Sequence, residues 1–253
     1  VSEINSIKGK DGSDLYYRMV KPSNFDPKNK YPVLVYVYGG PHTQMVTNSF
    51  NAGANLWMNW LAEQGYIVFT LDNRGSAERG FAFESQIHRQ LGMVEMQDQL
   101  AGVEFLKSLP YVDSERLAVH GWSFGGFMTT SLMLRHAGVF NVGVAGGPVT
   151  DWKFYEVMYG ERYMDRPEEN KEGYAANALT NYTKNLTGKL LLIHGTVDDV
   201  VVMQHNYSLV KKFVEDGKQM DFFPYPMHKH NVIGKDRAHL MEKILTYVIE
   251  NNQ

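Results

Sequence analysis

The 253-residue sequence predicts an α/β fold, in which a mostly parallel sheet is covered by helices on both faces. Short apolar runs that are typical of buried strands occupy 33–38, 67–71, 117–120, 142–145, 190–193 and 222–226. Amphipathic stretches of helical length alternate with them, near 54–64, 94–108, 124–136, 202–215 and 236–250. Continuous apolar strands are buried on both sides, and their alternation with helices is typical of a parallel sheet.

Three segments stand outside this alternation. Residues 4–20 contain two strand-like runs around the sequence KDGS, whose Asp-Gly pair favours a tight turn, so we expect an antiparallel hairpin at a sheet edge. The sequence DNRGS at 72–76 predicts a structural turn with Arg74 in a salt bridge. Residues 152–186 lack a clear strand, and we expect helical excursions there over the C-terminal edge of the sheet, where open α/β folds bind ligands.

Composition sets wider bounds on the function. The apolar and charged fractions, 43% and 21%, are ordinary for a globular protein of one large domain, and a net charge of -3 argues against binding to nucleic acid. The first residues contain neither an initiator methionine nor a signal peptide, so we expect a piece of a longer chain, trimmed at its N-terminus. The absence of cysteine excludes disulfides and thiolate chemistry but leaves the compartment open, with an exported or periplasmic location in a bacterium as the working expectation.

A glycine-flanked serine is the most informative feature of the chain. Residues 119–126 read VHGWSFGG, in which an apolar strand leads into Gly-x-Ser-x-Gly and then into a helical stretch. This is the sequence form of a nucleophile elbow, and it predicts a serine hydrolase of the α/β-hydrolase fold with Ser123 as nucleophile. The N–H of Phe124 would lie in the first helical turn, where it has no intrahelical partner and can bind an oxyanion. The alternative is a structural turn.

Two later strands supply candidates for the other catalytic groups. Residues 190–199 read LLLIHGTVDD and residues 222–231 read FFPYPMHKHN, so an acid and then a histidine follow the serine in the order that this fold uses. We predict Asp198 as the acid, with Asp199 as the alternative, and His230 as the base, with His228 as the alternative. The histidine would take the proton of the serine, and the carboxylate would fix its tautomer.

The remaining histidines have no place in that order. We interpret them as strand-end, helix or packing residues: His120, His194, His205 and His239. The pair His228 and His230 lacks a third ligand for zinc, so we expect neither a metal nor another cofactor.

A second oxyanion donor is predicted after the first parallel strand. Residues 37–41 read VYGGP, and their glycines allow a close approach of the backbone. The hydroxyl of Tyr38 could donate in place of a backbone amide. A buried tyrosine that caps the strand is the alternative.

These motifs together resemble the prolyl oligopeptidase family of serine peptidases, most closely its dipeptidyl peptidase IV branch, which includes prolyl tripeptidyl aminopeptidase. The resemblance covers nearly the whole chain. It implies a catalytic triad of Ser123, Asp198 and His230, and an oxyanion hole formed by the Tyr38 hydroxyl and the Phe124 N–H.

The resemblance also implies a proline pocket, whose motif reads PVTDWKFY at 148–155. By similarity the pocket is a flat apolar slot lined by Val149, Trp152, Tyr155, Tyr159 and Val201. Such a slot suits a pyrrolidine ring, which offers apolar faces and no N–H to satisfy. The alternative is that these aromatic residues are helix core.

The implied activity is that of a serine exopeptidase that cleaves after proline near the N-terminus of peptides, through an acyl-enzyme and without a cofactor. Two departures from dipeptidyl peptidase IV leave open whether dipeptides or tripeptides are released: Val200 stands in place of an asparagine and Phe124 in place of a tyrosine. The rival hypotheses are an acylaminoacyl peptidase or esterase on the same fold, and a catalytically silent dimerisation or binding module.

The resemblance further implies partners. Members of the family carry an N-terminal β-propeller that binds the free amino group of the substrate, and residues 1–253 would be the catalytic domain without it. We therefore expect three partners: a peptide with proline before the scissile bond, the propeller of the same full-length chain, and a second copy in a homodimer. The C-terminal helix could pack on the sheet or support that dimer through Leu240, Ile244, Tyr247 and Val248.

Overall fold

The structure, a computed structural model, describes residues 2–253. Its strands are β1 (Ser2–Lys8), β2 (Asp14–Val20), β3 (Tyr31–Tyr36), β4 (Ile67–Leu71), β5 (Val112–Trp122), β6 (Val142–Gly146), β7 (Lys189–Gly195) and β8 (Asp221–Tyr225). Its α-helices are α1 (Leu56–Glu63), α2 (Phe81–Glu84), α3 (Met93–Ser108), α4 (Phe124–Arg135), α5 (Val157–Met164), α6 (Lys171–Asn177), α7 (Gln204–Glu215) and α8 (Asp236–Asn251). None of the helices within 2–253 is long and apolar enough to cross a membrane.

All the strands form one sheet in the order β1-β2-β4-β3-β5-β6-β7-β8. The first two strands are the predicted hairpin; β1 pairs antiparallel with β2 at the edge, and β2 pairs antiparallel with β4. Every other pair is parallel, from β4 through β3 and β5 to β8 at the opposite edge. This arrangement confirms the mostly parallel sheet, and it places the C-terminal ends of β3, β5, β6, β7 and β8 side by side.

Helices cover both faces of the sheet, because successive side chains of each buried strand point to opposite sides. In β3, Val33 and Val35 join one hydrophobic cluster and Leu34 joins another. The first cluster lies under α3, α4 and α7, and the second lies under α1 and α8. Within α8, three of the four residues named above are buried against the sheet: Leu240, Ile244 and Val248. In the single chain, α8 therefore packs on the sheet, which is the first of the two roles considered for it.

The segment 152–186 forms the predicted helical excursions, α5 and α6 flanked by 3₁₀ helices at Trp152–Phe154 and Leu179–Asn185. The expected salt bridge of Arg74 is also present, since its Nη2 lies 2.6 Å from Asp98 Oδ1. Three details differ from expectation. Strand β5 begins at Val112 rather than at residue 117. Helix α2 was not predicted, and β3 ends at Tyr36 rather than at residue 38, because the chain turns away through Gly39 at φ 79°.

Candidate active site

Ser123 stands between the end of β5 and the start of α4, with φ 61° and ψ -117°. A positive φ is costly for a residue with a side chain, and such strain persists only where the surroundings enforce it. The N–H of Ser123 donates to the Gly146 carbonyl at 2.8 Å, which fixes the turn to β6. A Cβ on Gly121 or Gly125 would lie 2.3 or 2.2 Å from the Val37 carbonyl oxygen, so only glycine fits at either position. The chain thus has the strained elbow that its sequence predicted.

Asp198 lies in the turn that follows β7, with its side chain fully buried. Its Oδ1 accepts the N–H groups of Val200 and Val201, each at 2.9 Å. Its Oδ2 lies 2.8 Å from His230 Nδ1 and 3.2 Å from His194 Nε2. Burial by itself would raise the pKa of Asp198, but hydrogen bonds from the two histidines and from the Val200 N–H hold it well below the usual value. The group is therefore a carboxylate at neutral pH.

The alternatives for the acid and the base point elsewhere. Asp199 is exposed, and its Oδ2 lies 2.6 Å from the Nζ of Lys229. His228 Nε2 lies 2.7 Å from Asp236 Oδ2, at the start of α8. Of the candidate residues, the structure brings Asp198 and His230 together, and it directs Asp199 and His228 away from them.

The loop that carries His230 is tied to its neighbours through the backbone. Trp122 Nε1 donates to the His230 carbonyl at 2.9 Å, and the Met227 N–H donates to Thr196 Oγ1 at 2.8 Å. A Cβ on Gly195 would lie 2.1 Å from the Lys229 carbonyl oxygen. The turn with Asp198 (the acid turn) and the loop with His230 (the histidine loop) are therefore in contact at this glycine. Trp122 and Thr196 were missed in the sequence; the only available signal was that each adjoins a predicted functional segment.

Ser123 and His230 line one cavity of about 520 Å³, together with Tyr38 and Tyr155. Tyr38 is largely enclosed, and its burial raises the pKa of the hydroxyl, although a hydrogen bond with Thr43 opposes the shift. The hydroxyl therefore remains a protonated donor at neutral pH. The rings of Tyr38 and Phe124 lie 6.1 Å apart.

The residues of the predicted slot form one aromatic and apolar group next to Phe124. Trp152 lies nearly parallel to Tyr159, with 5.8 Å between ring centroids and an interplanar angle of 12°, and Tyr155 meets Trp152 edge-on. Val149, Val201 and Trp152 are buried, whereas the two tyrosines are half-buried. The Trp152 ring also lies 5.5 Å from that of Phe124, the residue after the serine. The alternative, helix core, describes the buried members of the group, whereas the rings of Tyr155 and Tyr159 are partly open.

No cluster of three potential metal ligands of the types His, Cys, Asp or Glu occurs in the part of the chain that the structure describes. The Ser123 hydroxyl and the His230 imidazole line one cavity, and the buried Asp198 carboxylate is hydrogen-bonded to the imidazole from behind.

The family model for the prolyl oligopeptidase family matches residues 53–253. The chain belongs to the prolyl oligopeptidase family. Its elbow, acid turn and histidine loop all lie within the matched range, so the resemblance of the motifs is confirmed at the level of the family.

Relatives in the prolyl oligopeptidase family are peptidases by name. Human dipeptidyl peptidase 8 is 35% identical over 254 residues, and the match covers 98% of this chain but 28% of that protein. A solved structure from Bacteroides ovatus, described as a dipeptidyl aminopeptidase IV, is 58% identical with a TM-score of 0.98 and covers 99% of this chain and 36% of its own. The solved structure of Porphyromonas gingivalis dipeptidyl peptidase 4 is 35% identical with a TM-score of 0.92, and the match covers 99% of this chain and 35% of that one. These matches confirm the α/β-hydrolase fold, and the chain spans about a third of the proteins it resembles.

Proposed function

We propose that this chain is the catalytic domain of a serine peptidase that cleaves after proline near the N-terminus of peptides. One observation carries the proposal: a serine on a strained elbow and a histidine that is hydrogen-bonded to a buried carboxylate line the same cavity. That constellation of nucleophile, base and orienting acid is recognised by geometry and roles in hydrolases of unrelated folds.

In the proposed mechanism, the Oγ of Ser123 attacks the carbonyl carbon before the scissile bond. The Nε2 of His230 takes the Oγ proton, while its Nδ1–H stays hydrogen-bonded to Asp198, whose charge stabilises the imidazolium. The C–N bond then breaks as the imidazolium protonates the leaving amine, which leaves an acyl-enzyme. Water, deprotonated by the same histidine, hydrolyses the ester and restores Ser123.

Two donors would stabilise the oxyanion that forms in each half-reaction. The N–H of Phe124 is at the first position of α4 and therefore has no partner within the helix. The Tyr38 hydroxyl, protonated and largely enclosed, would supply the second hydrogen bond. Gly40 makes room for both groups, because a Cβ there would lie 2.7 Å from the Tyr38 ring and 2.9 Å from the Phe124 ring.

Proline specificity would come from the slot formed by Val149, Trp152, Tyr155, Tyr159 and Val201. Flat aromatic faces can enclose a pyrrolidine ring by apolar contact, and the ring presents no N–H that would be left unsatisfied. Phe124 would join the slot to the elbow, since its ring lies 5.5 Å from that of Trp152 and its N–H would face the oxyanion.

The relatives' names favour release of dipeptides over tripeptides. In this proposal, the remaining length of the full protein carries a β-propeller that selects a free amino terminus, and the protein acts as a homodimer. Neither partner is needed for the chemistry at Ser123, but both would decide which peptides reach it.

A serine-directed probe tests the proposal. A fluorophosphonate should label the protein once per chain, peptide mapping should place the adduct on Ser123, and Ser123→Ala should remove both labelling and peptidase activity. Substrates of the form X-Pro-amide and X-X-Pro-amide then determine the length of the released peptide. Peptidase activity that survives in Ser123→Ala would refute the mechanism, and rapid hydrolysis of simple acyl esters without that of prolyl amides would favour an esterase.

A further inference from the structure

His194 is a buried histidine in contact with the candidate acid, although sequence reasoning assigned it to packing. It lies near the end of β7, four residues before Asp198, with its side chain inaccessible to solvent. Three polar groups surround the ring: the Val201 carbonyl at 2.6 Å and Asp198 Oδ2 at 3.2 Å, both from Nε2, and the Asn206 Nδ2 at 2.8 Å from Nδ1. A ring held on both nitrogens cannot turn without losing buried hydrogen bonds.

The partners fix the position of the proton on His194. Its Nε2 faces only oxygen acceptors, so this nitrogen carries hydrogen. It donates to the Val201 carbonyl at 2.6 Å and lies within ion-pair distance of Asp198 Oδ2 at 3.2 Å. Its Nδ1 faces the amide nitrogen of Asn206, which is a donor, so Nδ1 accepts. Asn206 lies in the first turn of α7 and is itself fully buried. The helix thereby selects one tautomer of the ring.

Four donor groups surround the carboxylate of Asp198 in this arrangement. Val200 and Val201 donate to Oδ1, His230 Nδ1 lies 2.8 Å from Oδ2 and His194 Nε2 lies 3.2 Å from the same oxygen. A carboxylate offers about four lone-pair positions, so none remains open. The contacts of His194, Val201 and Asp198 form a closed cycle. The His194 ring binds the carbonyl of Val201, the N–H of Val201 binds Asp198, and Asp198 contacts the His194 ring.

We infer that His194 is a positioning residue for the reaction: held as its Nε2–H tautomer by Asn206, it fixes the carboxylate of Asp198 in the orientation that engages His230. This inference rests on the proposed function, since it concerns the same triad. His194 does not reach the reacting atoms. It acts through Asp198, and through Val201 it also joins the acid turn to the wall of the proposed slot.

Other ionisable groups face this network and must be kept apart from His194 in any test. His205 of α7 lies close to His194, and its Nδ1 accepts the Thr150 N–H at 3.0 Å instead of contacting the acid. Tyr155 and Asp199 also interact electrostatically with Asp198. His205 therefore offers a matched control, as a buried histidine of the neighbouring helix that has no hydrogen bond to Asp198.

The test uses His194→Leu, His194→Gln and His205→Leu in the full-length protein, with a prolyl amide substrate and a folding check by circular dichroism. Leucine at 194 removes the donor, so kcat should fall tenfold or more with little change in KM, because the carboxylate is no longer held in place. The acid limb of kcat/KM against pH should move to lower pH, since a carboxylate that is no longer held towards His230 stabilises the imidazolium less. Glutamine, whose amide N–H can occupy the place of Nε2–H, should restore both properties in large part. His205→Leu should leave the acid limb where it is.

Two results would overturn the inference: an acid limb in folded His194→Leu that superimposes on that of the wild type, or a His194→Gln variant no better than His194→Leu. Failure of the proposed function has a different signature. If Ser123 is not the residue that the fluorophosphonate labels, the triad assignment is wrong whatever the His194 variants do.

Discussion

Replacing Asp198 by asparagine tests the catalytic assignment with a change of a few atoms. Every polar group around this carboxylate is a donor: two backbone N–H groups at Oδ1 and two imidazoles at Oδ2. An asparagine NH₂ has no acceptor in either orientation. The least costly response is for His230 to change tautomer, so that Nδ1 accepts from the amide and the proton moves to Nε2.

That tautomer is the wrong one for catalysis, because Nε2–H cannot accept the proton of Ser123. A catalytic histidine in the wrong tautomer lowers kcat by about 10⁴-fold, which corresponds to about 5 kcal/mol of transition-state stabilisation. We expect a loss of this size in Asp198→Asn, with a smaller change in KM. The matched control is Asp199→Asn, one residue along the chain, whose exposed ion pair with Lys229 contributes little.

The assay is kcat and KM on a prolyl amide, together with the rate of fluorophosphonate labelling, for both variants and the wild type. Labelling reports the reactivity of the serine separately from the turnover of the substrate. The reasoning fails if folded Asp198→Asn stays within tenfold of the wild type, or if Asp199→Asn loses as much activity.

Three further changes test the surroundings of the site. Gly147→Ala should lower kcat, because φ at this residue is 47° and the new Cβ would lie 3.3 Å from the His230 ring; an unchanged kcat would show that the loop yields. Tyr159→Leu should lower kcat/KM for a prolyl amide by roughly three- to tenfold, because the aromatic face stacked on Trp152 is lost. The loss of kcat/KM for a simple acyl ester should be smaller, and competition between the two substrates measures the difference. Burial lowers the pKa of His120 to about 4. His120 therefore contributes stability above pH 6.5, and this contribution is lost as pH falls towards 4. Between pH 7 and pH 5 the free energy of unfolding of the wild type should fall by about 2 kcal/mol more than that of His120→Asn, as measured by urea unfolding at both pH values.

The sequence predicted the fold well because its main elements have unambiguous periods. The central strands are buried on both faces, so their apolar runs stand out, and the elbow requires glycine at two positions where a Cβ would strike the Val37 carbonyl. Helix α2 was missed because four residues carry too little periodicity to be recognised.

The candidate site could be predicted only as sets of alternatives. Asp198 and Asp199 are equivalent as residue types, and what separates them is that one turns inward to backbone N–H groups while the other reaches Lys229. His194 was assigned to packing, and it is indeed buried, but its contact with Asp198 depends on how the turn after β7 folds back. Sequence indicates which groups are present, whereas the pairing among them depends on loop geometry.

Because β8 lies at the edge of the sheet, the loop with His230 should unfold locally before the elbow with Ser123 does. The elbow follows β5, which has a partner strand on each side, whereas the loop with His230 follows β8, which pairs within the described residues with β7 alone. Edge elements open locally at lower free energy than central ones. In mild denaturant the histidine loop should therefore detach while the centre of the sheet remains folded, and hydrolysis would stop before the protein loses most of its helical signal. Thermal inactivation of such an enzyme would measure the opening of one edge and not the unfolding of the domain.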